Sequence, residues 1–99
     1  MKSRRSWGWV GKMVHVDFTP DAEADLARLD TSVVERVFAK LRWLTENFNA
    51  VRPEALTGEW QGVFKLRAGD YRILYTFDKA KQKITVHFVR HRREVYKIT

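Results

Sequence analysis

Val63-Phe64-Lys65-Leu66-Arg67-Ala68-Gly69-Asp70-Tyr71-Arg72-Ile73-Leu74-Tyr75-Thr76-Phe77 largely alternates apolar and polar side chains about a break at Ala68-Gly69-Asp70. A period of two is the spacing of a strand, whose side chains point to opposite faces in turn. The stretch therefore predicts two strands, Val63–Arg67 and Tyr71–Phe77, joined by a turn. Phe64 and Leu66 fall on one face of the first, Lys65 and Arg67 on the other. Tyr71, Ile73, Tyr75 and Phe77 line one side of the second and read as core. A polar loop over Asp78–Gln82 leads to a third strand, Lys83–Val89, with Ile84, Val86 and Phe88 aligned. Three strands joined by short connections form an antiparallel meander.

Upstream the period changes. Val14–Phe18 alternates and reads as a half-buried strand. Thr19-Pro20 then opens a helix. Thr is a preferred N-cap, Pro suits the first helical position, and Asp21 and Glu23 favour the positive end of the helix dipole. Ala22, Leu26 and Leu29 form its inner stripe. Ser32 with Glu35 has the spacing of a capping box for a second helix. Val34, Val37, Phe38, Leu41, Leu44 and Phe48 recur at three- and four-residue steps, and this helix should end near Asn47. Asp21, Glu23, Asp25, Glu35 and Glu46 read as a solvated outer face. The element order is strand, helical hairpin over about 20–47, then three strands, which predicts an α+β sheet with the hairpin on one face.

Residues 1–12 lack periodicity and read as a basic extension, disordered or left from an upstream start, so the folded domain is expected to be 13–99. The chain has 99 residues, one domain's worth. It has no cysteine, which excludes disulfides and thiolate chemistry and fits a reducing cytosol. No run of about 18 apolar residues is present, so no membrane contact is expected. The net charge of +7 is unevenly spread: residues 1–12 contribute +4, 13–59 contribute −4, and 60–99 contribute +7. A basic C-terminal body points to a polyanion, with nucleic acid first, against the plainer reading of a solvated basic surface.

On this reading the sheet face away from the helices, with the tail, carries Lys65, Arg67, Arg72, His87, Arg90, Arg92 and Arg93. Such a face suits RNA. Cleavage without a metal needs a proton taken from the 2′-hydroxyl, charge stabilisation on the pentacovalent phosphate and a proton for the leaving 5′-oxygen. A crowded lysine can act as base and arginine can hold phosphate through its fork. The same cations could equally bind phosphate and do no chemistry. His15, His87 and His91 lack metal-ligand spacing. His87 reads as a hydrogen-bonded structural histidine, and His91 as the better acid–base candidate. Trp43 and Trp60 read as partly buried, with a partner contact as the other reading of Trp60.

Leu56-Thr57-Gly58, the run from Gly62 to Tyr75, and His91-Arg92-Arg93-Glu94-Val95-Tyr96 resemble the RelE/ParE superfamily of toxin–antitoxin toxins. The shared pattern is L-x-G, then y-x-L-R-x-G-x-Y-R-x-x-Y, then H-R-R-x-x-Y, over about residues 13–99. The resemblance implies a RelE-like α+β fold, a cytoplasmic toxin without a cofactor, and a cognate antitoxin in a hetero-oligomer. In the RelE-like mRNA interferase branch it also implies ribosome and mRNA as targets, with cleavage in the ribosomal A site. Carried over by position, Lys65, Arg72, Arg92 and Tyr96 are the implied catalytic residues, and Arg67, Arg90, His91 and Arg93 the implied RNA contacts. The last catalytic arginine is Arg92 when aligned on His91, or Arg90 when counted back from Tyr96; Arg92 is preferred. A second family lysine falls on Val63, and Lys65, Arg67 or His91 would have to replace it as base. The alternatives within the superfamily are a ParE-like DNA gyrase inhibitor and a degenerate toxin that only binds its antitoxin.

Overall fold

A computed structural model of the chain describes residues 9–10 and 14–98, with the side chains of 14–58 and 60–95. In chain order the elements are β1 (Trp9–Val10), β2 (His15–Phe18), α1 (Pro20–Ala27), α2 (Thr31–Glu46), β3 (Glu54–Ala55), a 3-10 turn at Gly58–Trp60, β4 (Phe64–Ala68), β5 (Tyr71–Asp78), β6 (Lys83–His91) and α3 (Arg92–Ile98). The strands form one sheet in the order β1-β2-β6-β5-β4-β3. β4, β5 and β6 are the expected antiparallel meander, and β2 joins it parallel to β6. The α+β architecture with a helical hairpin on the sheet follows the sequence reading. The expectation for residues 1–12 lies outside the described residues except at Trp9–Val10, whose backbone pairs with β2.

Thr19 caps α1 by accepting the Ala22 N–H at 3.1 Å, with Pro20 in the first turn. The capping box expected at Ser32 and Glu35 is absent. α2 begins at Thr31, directly after Asp30, which serves as its N-cap and whose carbonyl accepts the Val33 and Val34 N–H groups, so Ser32 is already helical. Val37, Leu41 and Leu44 are fully buried against Val16, Ile73, Tyr75, Ile84 and Val86, and Val34, Phe38 and Phe48 pack at the margin. This is the main core, between hairpin and sheet.

The β4–β5 turn depends on Gly69, at φ +64. An alanine Cβ there would meet Arg36 Nη1 at 3.0 Å and Arg36 Cδ at 3.2 Å. The left-handed conformation costs an L-residue about 1–2 kcal/mol. Gly69→Ala should therefore lower stability by at least about 1 kcal/mol, read as a lower urea midpoint at unchanged m.

Two features depart from the alternation read in the sequence. Tyr75 pairs with Val86 but Leu74 pairs with Phe88, so His87 and Phe88 together oppose one residue. This is a β-bulge, one extra residue that resets which face every later side chain takes. Phe88 thus leaves the face of Ile84 and Val86. It joins a second cluster on the opposite side, where Leu56, Leu74 and Val95 are buried and Trp60, Val63 and Phe88 pack around them. Through Val95, α3 lies on the sheet face away from the hairpin.

Candidate functional site: an arginine row across three strands

The bulge decides the composition of the cationic face. Arg67 on β4 is the register partner of Arg72 on β5, and Arg72 is the partner of Arg90 on β6. Cross-strand partners share a face. Three arginines therefore stand in a row, with Lys65 two positions along β4 on the same face. Without the extra residue at His87, Arg90 would have paired one place away. Instead His91 is the partner of Tyr71 on the helix side, and the two rings meet edge to face at 5.4 Å between centroids. His91 is thereby separated from Lys65, Arg67 and Arg72, and its Nδ1 accepts the Arg93 N–H at 3.2 Å. Arg92 and Arg93 are exposed on α3, off the row. Tyr96 is on α3 too, but its side chain lies outside the described residues.

Arg72 is only 4% exposed. Its Nη1 donates to the carbonyls of Gly69 at 2.9 Å and Tyr71 at 3.0 Å. Among the described residues no carboxylate pairs with it, and its Nε and Nη2 have no hydrogen-bond partner. A guanidinium has five donors in a fixed fork and cannot shed its charge. A cation this buried without an anion is costly unless something negative completes it. Two other members of the face are paired with carboxylates. Lys65 Nζ lies 3.5 Å from Glu54 Oε2, and Arg90 Nε donates to Asp25 Oδ2 at 2.9 Å.

Asp25 corrects the sequence reading of a solvated carboxylate: it is 3% exposed and accepts from Val89 N–H, Arg90 and Arg28. No signal in the sequence separates it from Asp21 or Glu23. Trp43 is also corrected, at 42% exposed with Lys40 Nζ 4.3 Å from its ring centroid. Trp60 is half-buried against Phe88, with ring centroids 5.6 Å apart, so the packing reading of that residue holds. Val63, standing where a second lysine would fall, is half-buried in the small cluster with Leu56 and Leu74, which explains an apolar residue there.

His87 is a structural histidine, with its Nε2 2.9 Å from Thr76 Oγ1. Burial lowers its imidazole below the ordinary 6.5. The unfolded chain therefore takes up the proton first, so this contribution is complete above about pH 6.5 and is lost as pH falls toward the folded-state value. His87→Gln should flatten that part of the acid-side loss, measured by urea unfolding between about pH 8 and pH 5.

Among the described residues no three His, Cys, Asp or Glu side chains converge as a metal site would require, and no helix is long and apolar enough to cross a membrane. The fold and the face together define a small α+β domain whose sheet carries an arginine row, with Arg72 at its centre buried and without an ion pair among the described residues.

The comparisons supply the family. The model described as ParE toxin of type II toxin-antitoxin system, parDE, matches residues 16–96, and the chain belongs to that family, within the RelE/ParE superfamily. It is similar to a toxin–antitoxin complex, RelBE2 from Mycobacterium tuberculosis, at 28% identity over 77% of this chain and 94% of that one, with a TM-score of 0.65. It is similar to the free state of an E. coli RelE toxin carrying two arginine-to-alanine substitutions, at 27% identity over 83% and 88% of the two chains, TM-score 0.64. The YoeB/ParE toxin from Agrobacterium tumefaciens shares the fold at 23% identity over 77% and 95%, TM-score 0.65. A search of curated proteins returns no match. The chain is a type II toxin.

Proposed function

We propose that this toxin is a ribosome-dependent mRNA endonuclease that acts in the cytoplasm by cutting mRNA in the A site. The observation that carries the reading is Arg72: a buried guanidinium, unpaired among the described residues, at the centre of the row Arg67–Arg72–Arg90. The scissile phosphate is the anion that completes it. In the reaction the 2′-oxygen attacks phosphorus and the bond to the 5′-oxygen breaks. The 2′-proton is taken up and a proton is delivered to the leaving oxygen. Arg72 and Arg90 bear the charge that grows on the phosphoryl oxygens, where preorganised donors act most strongly. Lys65 stands beside them as the amine that takes or shares the 2′-proton. Arg67 extends the phosphate track, Arg92 and Arg93 add contacts along α3, and Tyr96 orients the nucleotide. Arg90 takes the role that alignment on His91 would give Arg92, because register sets Arg90 beside Arg72.

As a type II toxin it is held by a cognate antitoxin in a hetero-oligomer, in keeping with the toxin–antitoxin complexes among its structural relatives. Primer extension over a translated reporter, on ribosomes and on naked RNA, tests the activity. Cuts in register with codons, found only on ribosomes, support the reading. Growth arrest without cuts overturns it in favour of gyrase inhibition, in keeping with the ParE family model that the chain matches; neither cuts nor arrest overturns it in favour of a toxin that only binds its antitoxin, for which Val63 in place of a lysine is the specific observation.

A further inference from the structure

β2 accompanies β6 only from Lys83 to Val86. There the chain leaves the sheet through Thr19, whose N–H donates to Val86 O at 3.0 Å and whose hydroxyl donates to His87 O at 3.1 Å. Beyond that point no strand among the described residues pairs with the outer edge of β6, and a buried ladder N–H without an acceptor is costly. Asp25 on α1 fills the place: its Oδ2 accepts the Val89 N–H at 2.9 Å. The same oxygen accepts Arg90 Nε at 2.9 Å, and Oδ1 accepts Arg28 Nη2 at 2.8 Å. The Arg90 guanidinium carbon also lies 4.6 Å from the Phe88 ring centroid. Arg90 is thus gripped along one edge and across one face. Both of its Nη groups lack partners among the described residues.

We infer that Asp25 is a positioning residue for the anion site: by holding Arg90 at Nε, it presents the Arg90 fork together with Arg72 to one phosphate. The inference rests on the anion site proposed above. A side chain that merely closed the sheet edge would need only an acceptor for Val89. Asp25 also holds, with the same oxygen, Arg90, one of the two arginines in register with Arg72. Fixing a long side chain in advance removes ordering entropy that binding would otherwise cost.

The test uses the whole protein and a short RNA oligonucleotide made uncleavable by 2′-deoxy substitution, followed through the arginine Nε–H signals by NMR. In the native protein the Arg72 and Arg90 signals should shift together with one Kd. Asp25→Asn keeps an oxygen for the Val89 N–H but loses the charge, and should raise Kd by about tenfold, the low end of what one hydrogen bond to a charged group contributes. Arg90→Ala should do the same. The double variant should bind no more weakly than Arg90→Ala alone, because the two act as one unit. Losses that multiply would overturn the inference, leaving Asp25 a purely structural residue. Should Asp25→Asn not fold, Arg90→Lys decides: a lysine has no Nε edge to grip, so retained affinity there overturns the assignment. Binding without ribosomal cutting would sink the nuclease reading while the coupling still decides the role of Asp25. A native protein that neither binds nor cuts overturns both.

Discussion

Arg72→Ala should abolish cleavage while leaving the protein folded. The loss in rate is expected to be a hundred- to a thousandfold, roughly what removal of one preorganised donor to a developing oxyanion costs. The stability side follows from the same geometry. Arg72 gives the fold two hydrogen bonds, to Gly69 O and Tyr71 O, but has no ion pair among the described residues. Gly69 is exposed at the turn, so water can replace the lost donor there. Two neutral acceptors set against the release of an uncompensated buried cation leave a net change within about 1–2 kcal/mol of zero. Urea unfolding and single-turnover cleavage on ribosomes, done on the same preparation, check the pair. A variant that unfolds would make Arg72 structural and remove the basis for the site. Arg72→Lys should recover little, because a point charge does not reproduce the fork.

Whether a site residue could be found in the sequence depended on whether its placement is local. The stripe from Val34 to Phe48 and the alternation around Gly69 are periodicities, and each face they predicted on α2, β4 and β5 is the face observed. Arg72 needed only its own strand's period. Arg90 and His91 needed the bulge, and a bulge is a single unpaired residue that alternation cannot reveal. Extending the period of Ile84 and Val86 puts Phe88 in the main core, whereas it belongs to the second cluster. Asp25 was missed for a different reason. An acid in the second turn of a helix looks solvated unless one knows that the facing strand loses its neighbour there, and that is a fact about β2 ending at Phe18. The two-residue strands β1 and β3 are too short to show a period at all.

Leu74→Ala should be the most damaging change on the sheet face that carries the arginine row. Leu74 is fully buried between its register partners Lys65 and Phe88, in contact with the cluster that includes Leu56 and Val95. Truncating a buried leucine costs about 2–5 kcal/mol, a large share of the roughly 5–15 kcal/mol that holds a domain together. A mid-range loss lowers Tm by roughly 10–20 °C in a domain of this size. Ile73→Ala is the control. Ile73 is adjacent and equally buried, but it faces the hairpin, so it should cost as much without touching α3. The two variants therefore separate global from local loss. Amide exchange at Val95 should rise in Leu74→Ala beyond what its lower global stability explains, and track global stability in Ile73→Ala. Equal protection of Val95 in both would mean that α3 is held by something other than this cluster. The small core under α3 would then have no part in holding that helix on the sheet.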